Sequence, residues 1–475
     1  MNSFESNGCW WLPSNPDNVV LGILKFTPEK GIELSLFMPL DESARSGSYQ
    51  PLILGLLENE KKVTLYKSIL IFMRLPGTGF NSPKYTSEIG LVGHHFNQLN
   101  EMLFYKAGVD YSYLRDWAMI PPVPREPIWN ENNQMVGMKF NDYNKPSDIV
   151  AKTTEGIISV KYGCSEAGKL SELDFKQSAA IVIEPETDCS LEILQQRFIY
   201  PLQNFLTFLT GQPNFIVSCH VYYCKKNNED NANQPGKVID RRIQIIFKKP
   251  RIQEDRENLL HPHEMIFTLE DLKSEFSLII QKWLNTHQEI DSVCNLFFST
   301  KYAPLYLENE FLNIVQAVES YHRRRRKNNL LPEAEHTKRI ETILENIPDS
   351  YKQWVEEKLH YSNEPTLKDR LEELVKENIL VINSLLSFYE KPDKFIIKVK
   401  NTRNFFTHYN KPNENKAAKG DELYWITRIL EFLLQACFLS ELGCSPEKRA
   451  EIICNKSRYQ WAIQAINKLK SESNK

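Results

Sequence analysis

The sequence predicts an α+β protein with a β-rich N-terminal region, residues 1–299, followed by an all-α helical bundle, residues 300–475. Short runs of alternating apolar and polar residues, separated by Pro and Gly, fill most of the first part. Beyond Pro304, apolar residues recur at helical spacing in almost every segment. A chain of 475 residues also exceeds one ordinary hydrophobic core, so two or three domains are expected.

The alternating runs of the N-terminal region predict strands, and the first two predict a hairpin because only a short turn separates them. The strand candidates are residues 19–28, 31–40, 51–57, 62–73, 156–163, 215–223 and 241–247. The polar stretch 225–237 is predicted to be a loop. Helices are predicted at 191–210, where Gly211 holds the stop position, and at 268–298, and the domain boundary near 299–304.

The C-terminal region predicts a helical bundle. The candidate helices are residues 307–326, 338–347, 365–375, 393–410, 422–443 and 445–470. In the first of them, one face carries Phe311, Val315, Val318 and His322. Thr366 and Asp369 resemble a capping box at the start of the third. The fourth stops before Pro412, and the fifth is apolar enough to be a buried helix of the bundle.

Composition favours a cytoplasmic protein. The nine cysteines are odd in number and scattered, which indicates reduced thiols rather than a disulfide framework. No apolar run reaches the roughly 18 residues that span a bilayer, and no secretory signal pattern is present, so no membrane partner is expected. From residue 301 onward the chain has 29 basic and 25 acidic residues, whereas the first 300 residues contain 29 basic and 36 acidic ones. This asymmetry favours the C-terminal part as the one that meets a polyanion.

The candidate catalytic residues lie in residues 403–408, RNFFTH. Asn404 and His408 are i,i+4 partners and share a helix face, whereas Arg403 lies about 140° around the helix from His408. A long arginine can still reach the same groove near a helix end. The alternative is two polar residues that flank a buried aromatic pair, because an arginine and a histidine at this spacing often occur by chance.

These residues resemble the R-x4–6-H motif of HEPN domains. The helix that contains AVESYHRRRR resembles the first HEPN helix of ApeA-like anti-phage proteins, with Glu319, His322 and Arg323 at the matching positions. GCWWLP, residues 8–13, followed by residues 22–24, is similar to the start of the ApeA N-terminal domain. The two resemblances together span nearly the whole chain. Tyr409 directly follows His408, unlike the R-x4-H-x-Y form of toxin–antitoxin proteins, and is given no role.

The resemblance implies a ribonuclease that acts in anti-phage defence by arresting the infected cell, without a metal or another cofactor. The RNA 2′-OH would attack the adjacent phosphate, so DNA would resist. His408 could take or give the proton, Arg403 could stabilise the transition state, and Asn404 could orient the histidine or hold a phosphate oxygen. HEPN domains usually pair two motifs across a dimer groove, so the resemblance implies a homodimer. A phage-derived trigger sensed by the N-terminal domain is also expected.

Several further features allow two interpretations each. The basic run 323–327 either grips RNA near the site or is a solvated helix end, and Arg323 is its best functional candidate. Glu319 either orients Arg403 across the bundle or pairs with another arginine. His322 is favoured as a core histidine over a functional one. Trp10 and Trp11 are favoured as packing residues over a stacking platform.

Two histidine pairs, together with Cys219 and Cys224, are the candidate metal ligands of the sequence. His94 and His95, like His261 and His263, lack partners at a recognisable ligand spacing, and a metal site is not expected. Two rival functions remain open. The helical region could dimerise or dock RNA without cleaving it, or the protein could be a scaffold whose main role lies in the β-rich region.

Overall fold

The computed structural model describes residues 2–72, 82–120, 125–140, 145–167, 174–225, 239–249, 260–409 and 414–473. Its contacts divide the chain into two compact units. The first comprises Met1–Thr210, Asn214–Pro262 and Phe267–Gln281, and the second comprises Gly211–Pro213, His263–Ile266 and Lys282–Lys475. The main segment of the second unit starts at Lys282. The sequence instead predicted a domain boundary near 299–304.

The first unit is built on antiparallel strands. The strands are β1 (Phe4–Leu12), β2 (Asn15–Thr27), β3 (Gly31–Leu36), β4 (Tyr49–Leu57), β5 (Lys62–Phe72), β6 (Lys84–Val92), β7 (Leu103–Phe104), β8 (Lys106–Tyr111), β9 (Arg125–Trp129), β10 (Met135–Phe140), β11 (Ile149–Thr153), β12 (Gly156–Ala167), β13 (Asp174–Pro185), β14 (Cys189–Ser190), β15 (Ile216–Lys225) and β16 (Ile239–Phe247). The predicted hairpin is confirmed, because β2 and β3 pair from Gly22–Leu36 to Thr27–Gly31.

The first six strands close into a barrel in the order β1-β2-β3-β6-β5-β4, because β4 also pairs with β1. Apolar residues from alternate positions of these strands fill the interior, as period-2 patterning requires. Trp10, Leu24, Phe26 and Leu65 are completely buried there. The packing interpretation of Trp10 is confirmed: a Cβ built on Gly55 would lie 2.2 Å from its ring, which leaves no room at that position for a larger residue.

The sheet continues beyond the barrel through β6, whose C-terminal half pairs with β16. From there the order is β16-β15-β8-β13-β12-β11. Helices α1 (Leu114–Trp117), α2 (Leu191–Leu194) and α3 (Tyr200–Thr210) belong to the same unit, and a π-helical turn, Gln195–Ile199, joins α2 to α3. The helix predicted at 191–210 is thus present, and it ends at Gly211, which has a φ of +68°.

The remaining helices follow in chain order. They are α4 (Leu269–Leu272), α5 (Phe276–Glu289), α6 (Asp291–Tyr302), α7 (Leu307–Arg325), α8 (Glu333–Glu345), α9 (Asp349–Leu359), α10 (Leu367–Glu377), α11 (Ile379–Ile382), α12 (Pro392–His408), α13 (Gly420–Glu441), α14 (Pro446–Cys454) and α15 (Ser457–Ser473). Short 3₁₀ segments lie at Leu99–Glu101, Pro262–Glu264, Lys273–Glu275 and Asn383–Tyr389.

The second unit is a bundle around α13. Among the described residues, α13 is the one helix long and apolar enough to cross a membrane, and 78% of its apolar stretch is buried inside the protein, as in a core helix. The capping box at α10 is confirmed, with Thr366 accepting from the Asp369 amide and the Asp369 carboxylate accepting in return. The candidate helix 445–470 is two helices in the structure. Helix α14, capped by Ser445, ends at Cys454, and α15 starts at Ser457.

Candidate active site

Helix α7 has an apolar face and a polar face. Its buried apolar residues include Phe311, Ile314, Val315, Val318 and Tyr321, at the i, i+3, i+4 spacing of an amphipathic helix. The polar residues Gln316, Glu319, Ser320 and Arg323 follow the same spacing on a neighbouring face. The helix therefore presents one continuous polar strip beside its buried side.

Helix α12 places the RNFFTH residues next to that strip. The helix begins with Pro392 in its first turn and ends at His408, after which Tyr409 adopts a left-handed backbone with φ of +47°. Phe406 is buried, and its ring centroid lies 6.3 Å from that of Phe311 of α7. Thr402 is also buried, and its hydroxyl accepts from the Ala418 amide at 2.8 Å. These contacts fix the helical turn on which Arg403 lies.

A pocket of about 590 Å³ lies between these two helices. The residues that line it are Leu312, Val315, Gln316, Glu319, Ser320, Arg323, Arg403, Phe406 and Thr407. The lining thus combines two arginines, one carboxylate, three apolar side chains and three neutral polar side chains. Such a pocket can bind an anionic group on its charged wall and cover part of an apolar group below it.

Arg403 is half-buried and has two partners in the structure. Its Nη2 lies 3.6 Å from Oε2 of Glu319, and its Nη1 donates to Oδ1 of Asn404 at 3.4 Å. The pairing of Glu319 with Arg403 across the bundle is therefore observed. Both contacts are long and involve only part of the guanidinium. They orient the group, and its remaining N–H groups can still donate to a ligand.

Arg323 lies on the pocket wall and is held from outside it. Its Nη2 donates to Oε2 of Glu364 at 2.7 Å, and its side chain is about half exposed. The same Glu364 oxygen lies 3.5 Å from Nη2 of Arg370. Glu364 therefore connects the pocket cation Arg323 to a buried arginine on α10.

Arg370 is the centre of a buried polar network. Its side chain is 1% exposed; Nη1 donates to Nδ1 of His322 at 3.1 Å, and Nη2 donates to Oδ1 of Asn328 at 2.5 Å. Because an arginine cannot accept, Nδ1 of His322 must be the acceptor, and Nε2–H therefore donates to Glu373 at 2.7 Å. The core interpretation of His322 is confirmed, since both of its ring nitrogens are satisfied.

Burial, and after it the nearby charge of Arg323, lowers the pKa of Arg370, whereas the negative charges of Glu319 and then Glu364 oppose that shift. The two carboxylates that hold the pocket arginines thus also stabilise the buried guanidinium. One set of charges supports both the core of the bundle and the pocket wall.

The basic run at the end of α7 is held by ion pairs. The pairs are Arg323–Glu364 at 2.7 Å, Arg324–Asp291 at 3.6 Å, Arg325–Glu289 at 2.5 Å and Arg326–Glu377 at 2.6 Å. Of the arginines in this run, Arg323 also lines the pocket. The run is therefore largely engaged within the bundle.

His408 is exposed at the C-terminal end of α12. Within the described part of the chain, neither His408 nor Asn404 is among the residues that line the pocket. The structure thus brings together Arg403, Glu319 and Arg323, and leaves His408 just over one helical turn beyond Arg403. The described residues include no group of three or more His, Cys, Asp or Glu side chains that could hold a metal ion.

Sequence reasoning missed three polar residues of the pocket. They are Gln316, Ser320 and Thr407. Gln316 and Ser320 lie one helical turn from Glu319 or Arg323 on the same strip of α7, so helical spacing from the two predicted residues could have found them. Thr407 donates to the Arg403 carbonyl at 2.8 Å, a helix contact that gives no sequence signal of its own.

Comparisons with known families agree with this arrangement. The model of the ApeA N-terminal domain 1 matches residues 5–283, more than half of the chain. The chain belongs to the ApeA-like family. The model of the Apea-like HEPN domain matches residues 312–448. Searches of curated proteins and of solved structures returned no match.

This ApeA-like chain is a HEPN-type defence protein, with the N-terminal domain first and the HEPN domain after it. The HEPN match includes the polar strip of α7, the buried Arg370 and all of residues 403–408. The first match ends at residue 283, close to Gln281, where the first compact unit ends.

Proposed function

We propose that this ApeA-like protein is a metal-independent endoribonuclease with Arg403 and His408 as its catalytic pair. The observation that carries the proposal is the pocket wall, where Arg403 and Arg323 face solvent-accessible space with Glu319 beside them. Glu319 and Glu364 each contact one of these arginines, but each guanidinium has further N–H groups that can donate to an anionic ligand, and its planar shape suits a phosphate. RNA is the polyanion expected for a HEPN-type protein.

The reaction needs only groups that the chain and the substrate supply. The RNA 2′-oxygen forms a bond to the adjacent phosphorus while its proton passes to a base, and the bond to the 5′-oxygen breaks as an acid gives that oxygen a proton. His408 exchanges one of these protons with the reacting oxygens. Arg403 donates to the phosphoryl oxygens, whose negative charge grows in the transition state, and Asn404 orients the arginine. The products carry 2′,3′-cyclic phosphate and 5′-hydroxyl ends.

One chain supplies one such arginine and one such histidine. A second copy that brings its own RNFFTH segment to the same groove would provide both a proton acceptor and a proton donor. We therefore propose a homodimer through the helical unit. In the cytoplasm of an infected cell, RNA cleavage would arrest growth, with the N-terminal domain sensing a phage-derived trigger.

The proposal is tested by RNA cleavage with purified variants of the full chain. Arg403→Ala and His408→Ala should each reduce the cleavage rate by about 10²- to 10⁴-fold, the usual contribution of a transition-state donor or a proton-transfer group. Arg339→Ala and His360→Ala are matched controls, because both residues are exposed and lie in the same unit. Both controls should cleave like the parent.

Circular dichroism must show that each variant keeps the parent's thermal transition. Parent-like cleavage by folded Arg403→Ala and His408→Ala variants would place the chemistry elsewhere and refute the proposal. Loss of the thermal transition in both variants would instead show that the two residues are structural.

A second candidate function is RNA binding without cleavage. It is favoured by the position of His408, since the described pocket has arginines on its wall and no proton-transfer histidine. In that case the parent should bind RNA, Arg403→Ala should weaken binding, and no cleavage products should form under any condition.

A further inference from the structure

The barrel of the first unit contains a fork in its hydrogen bonding. Along one edge of β6, Ser87 pairs with Ile32 of β3, whereas Ile89 pairs with Phe247 of β16. Two different strands thus leave the same edge of β6 on either side of Glu88. The Lys249 amide donates to the Pro28 carbonyl at 2.7 Å and ties the end of β16 to the turn before β3.

A cavity of about 480 Å³ lies at this fork, a size within the usual range of small-ligand sites. One side of its lining comes from the β6 segment 86–89. The other lining residues are Lys30, Gly31, Tyr49, Lys67, Ile69, Gln195, Tyr200, Phe247 and Lys248. The cavity differs from the HEPN pocket in position and in chemistry, and it belongs wholly to the first unit.

The charge of the cavity is predominantly positive, with three lysines against Glu88. Lys67 is neutralised, since its ammonium lies 3.6 Å from Glu88 and 3.7 Å from Glu192. Within the described ranges, Lys30 and Lys248 have no carboxylate in ion-pair range. Two uncompensated ammonium groups at one cavity favour an anionic group between them, and lysine commonly binds phosphate in this way.

Lys67 has an unusual backbone for a strand interior. Its φ is +54°, in the left-handed region that side chains with a Cβ rarely occupy. Tyr66 and Ser68 pair with residues of both β4 and β6, but Lys67 between them is not paired in either ladder. Pro51 stands opposite Lys67 on β4 and has no amide proton to donate. Strained residues of this kind concentrate at ligand sites, where they aim one side chain.

The rest of the lining is suited to a flat ring. Tyr49 and Tyr200 are 54% and 45% exposed, Ile69 is 43% exposed, and Phe247 is half-buried. Exposed aromatic rings around one cavity can stack on a planar group. Gln195 also lines the cavity, and its side-chain amide offers both a donor and an acceptor edge.

We infer that the fork cavity binds a free nucleotide, with its phosphates between Lys30 and Lys248 and its base against Tyr49 and Tyr200. The volume fits one nucleotide, and Gln195 can contact a base edge. Lys30 and Lys248, which have no carboxylate partner in the described part of the chain, match the phosphate charge. The inference does not depend on the proposed ribonuclease activity, because binding at the fork can be measured in a protein that cleaves nothing.

Isothermal titration calorimetry on the full chain tests this with ATP, AMP, adenosine and tripolyphosphate as separate probes. ATP should bind at one saturable site, more tightly than adenosine or tripolyphosphate, because each of these provides half of the contacts. Lys30→Glu and Lys248→Glu should each weaken ATP binding at least tenfold. Tyr200→Leu should weaken AMP more than tripolyphosphate.

Lys61→Glu is the matched control, because Lys61 is an exposed lysine of the same unit in the turn before β5, outside the cavity. It should leave ATP affinity unchanged. Lys30→Gln and Lys248→Gln provide milder variants, and the thermal transition of each protein checks folding. Absence of saturable binding for both ATP and AMP would overturn the inference, as would equal ATP affinity in the parent and the folded Lys30 and Lys248 variants.

Discussion

The buried network around Arg370 gives a stability prediction that can be worked from the structure. Arg370→Met keeps an unbranched apolar side chain in place but removes the guanidinium. The bonds to His322 at 3.1 Å and to Asn328 at 2.5 Å are then lost, and hydrogen bonds to a charged group contribute about 1.5–3 kcal/mol each. Met also relieves the burial of a charged group whose Nε has no hydrogen-bond partner among the described residues.

The gross loss is about 3–6 kcal/mol, and relief of desolvation returns about 1–3 kcal/mol of it. We therefore expect the free energy of unfolding of the helical unit to fall by about 2–3 kcal/mol. Urea unfolding followed by circular dichroism at the helical band measures this loss. Arg339→Met, at an exposed position, should change stability by less than about 0.5 kcal/mol.

A double-mutant cycle gives a sharper result. His322→Phe removes the ring nitrogens that bind Arg370, so the two substitutions together should cost less than the sum of each alone, by about 1 kcal/mol or more. If Arg370→Met is no more destabilising than Arg339→Met, the network does not stabilise the bundle and this reasoning is refuted.

Three further predictions concern other parts of the chain. Gly55→Ala places a Cβ against the Trp10 ring and should destabilise the barrel by about 1–3 kcal/mol in urea unfolding. Gly108→Ala is the control and should be neutral, because a Cβ added there would have no atom within 4 Å. Equal effects of the two substitutions would contradict the packing. Burial lowers the pKa of His287 to about 4 in the folded protein, so this histidine is protonated at a higher pH in the unfolded chain than in the folded one. The free energy of unfolding should therefore fall by up to about 3 kcal/mol as the pH drops from 6.5 to 4. His287→Gln should flatten that decline, and an unchanged pH profile would contradict it. Sedimentation equilibrium should show a homodimer, and a monomer that cleaves RNA at assay concentration would exclude the composite site.

Local signals made much of the fold predictable. The β2–β3 hairpin, the capping box at Thr366 and the stop at Gly211 each depend on residues a few positions apart. Closure of the barrel could not be predicted, because β4 returns to β1 across a long stretch of chain and no nearby residue signals that pairing. Helix α9 was also missed, since among its residues none is buried and its apolar spacing is weak.

The site shows the same division between local and distant information. The resemblance to the first HEPN helix indicated Glu319 and Arg323, and the pairing of Glu319 with Arg403 across the bundle was one of two alternatives for that glutamate. Arg370 could not be recognised, because a single arginine in a charged helix is usually exposed. Its burial depends on His322, which lies on a different helix.

The products of cleavage by the parent protein test the central claim most directly. A defined RNA is incubated in excess EDTA, beside the same RNA with a single 2′-deoxy nucleotide at the cut site, and the ends are identified by mass spectrometry. The account predicts cleavage in EDTA, 2′,3′-cyclic phosphate ends, and no cut at the deoxy position. Cleavage that EDTA abolishes and Mg²⁺ restores, or that proceeds at the deoxy position, would contradict 2′-OH attack assisted by Arg403 and His408.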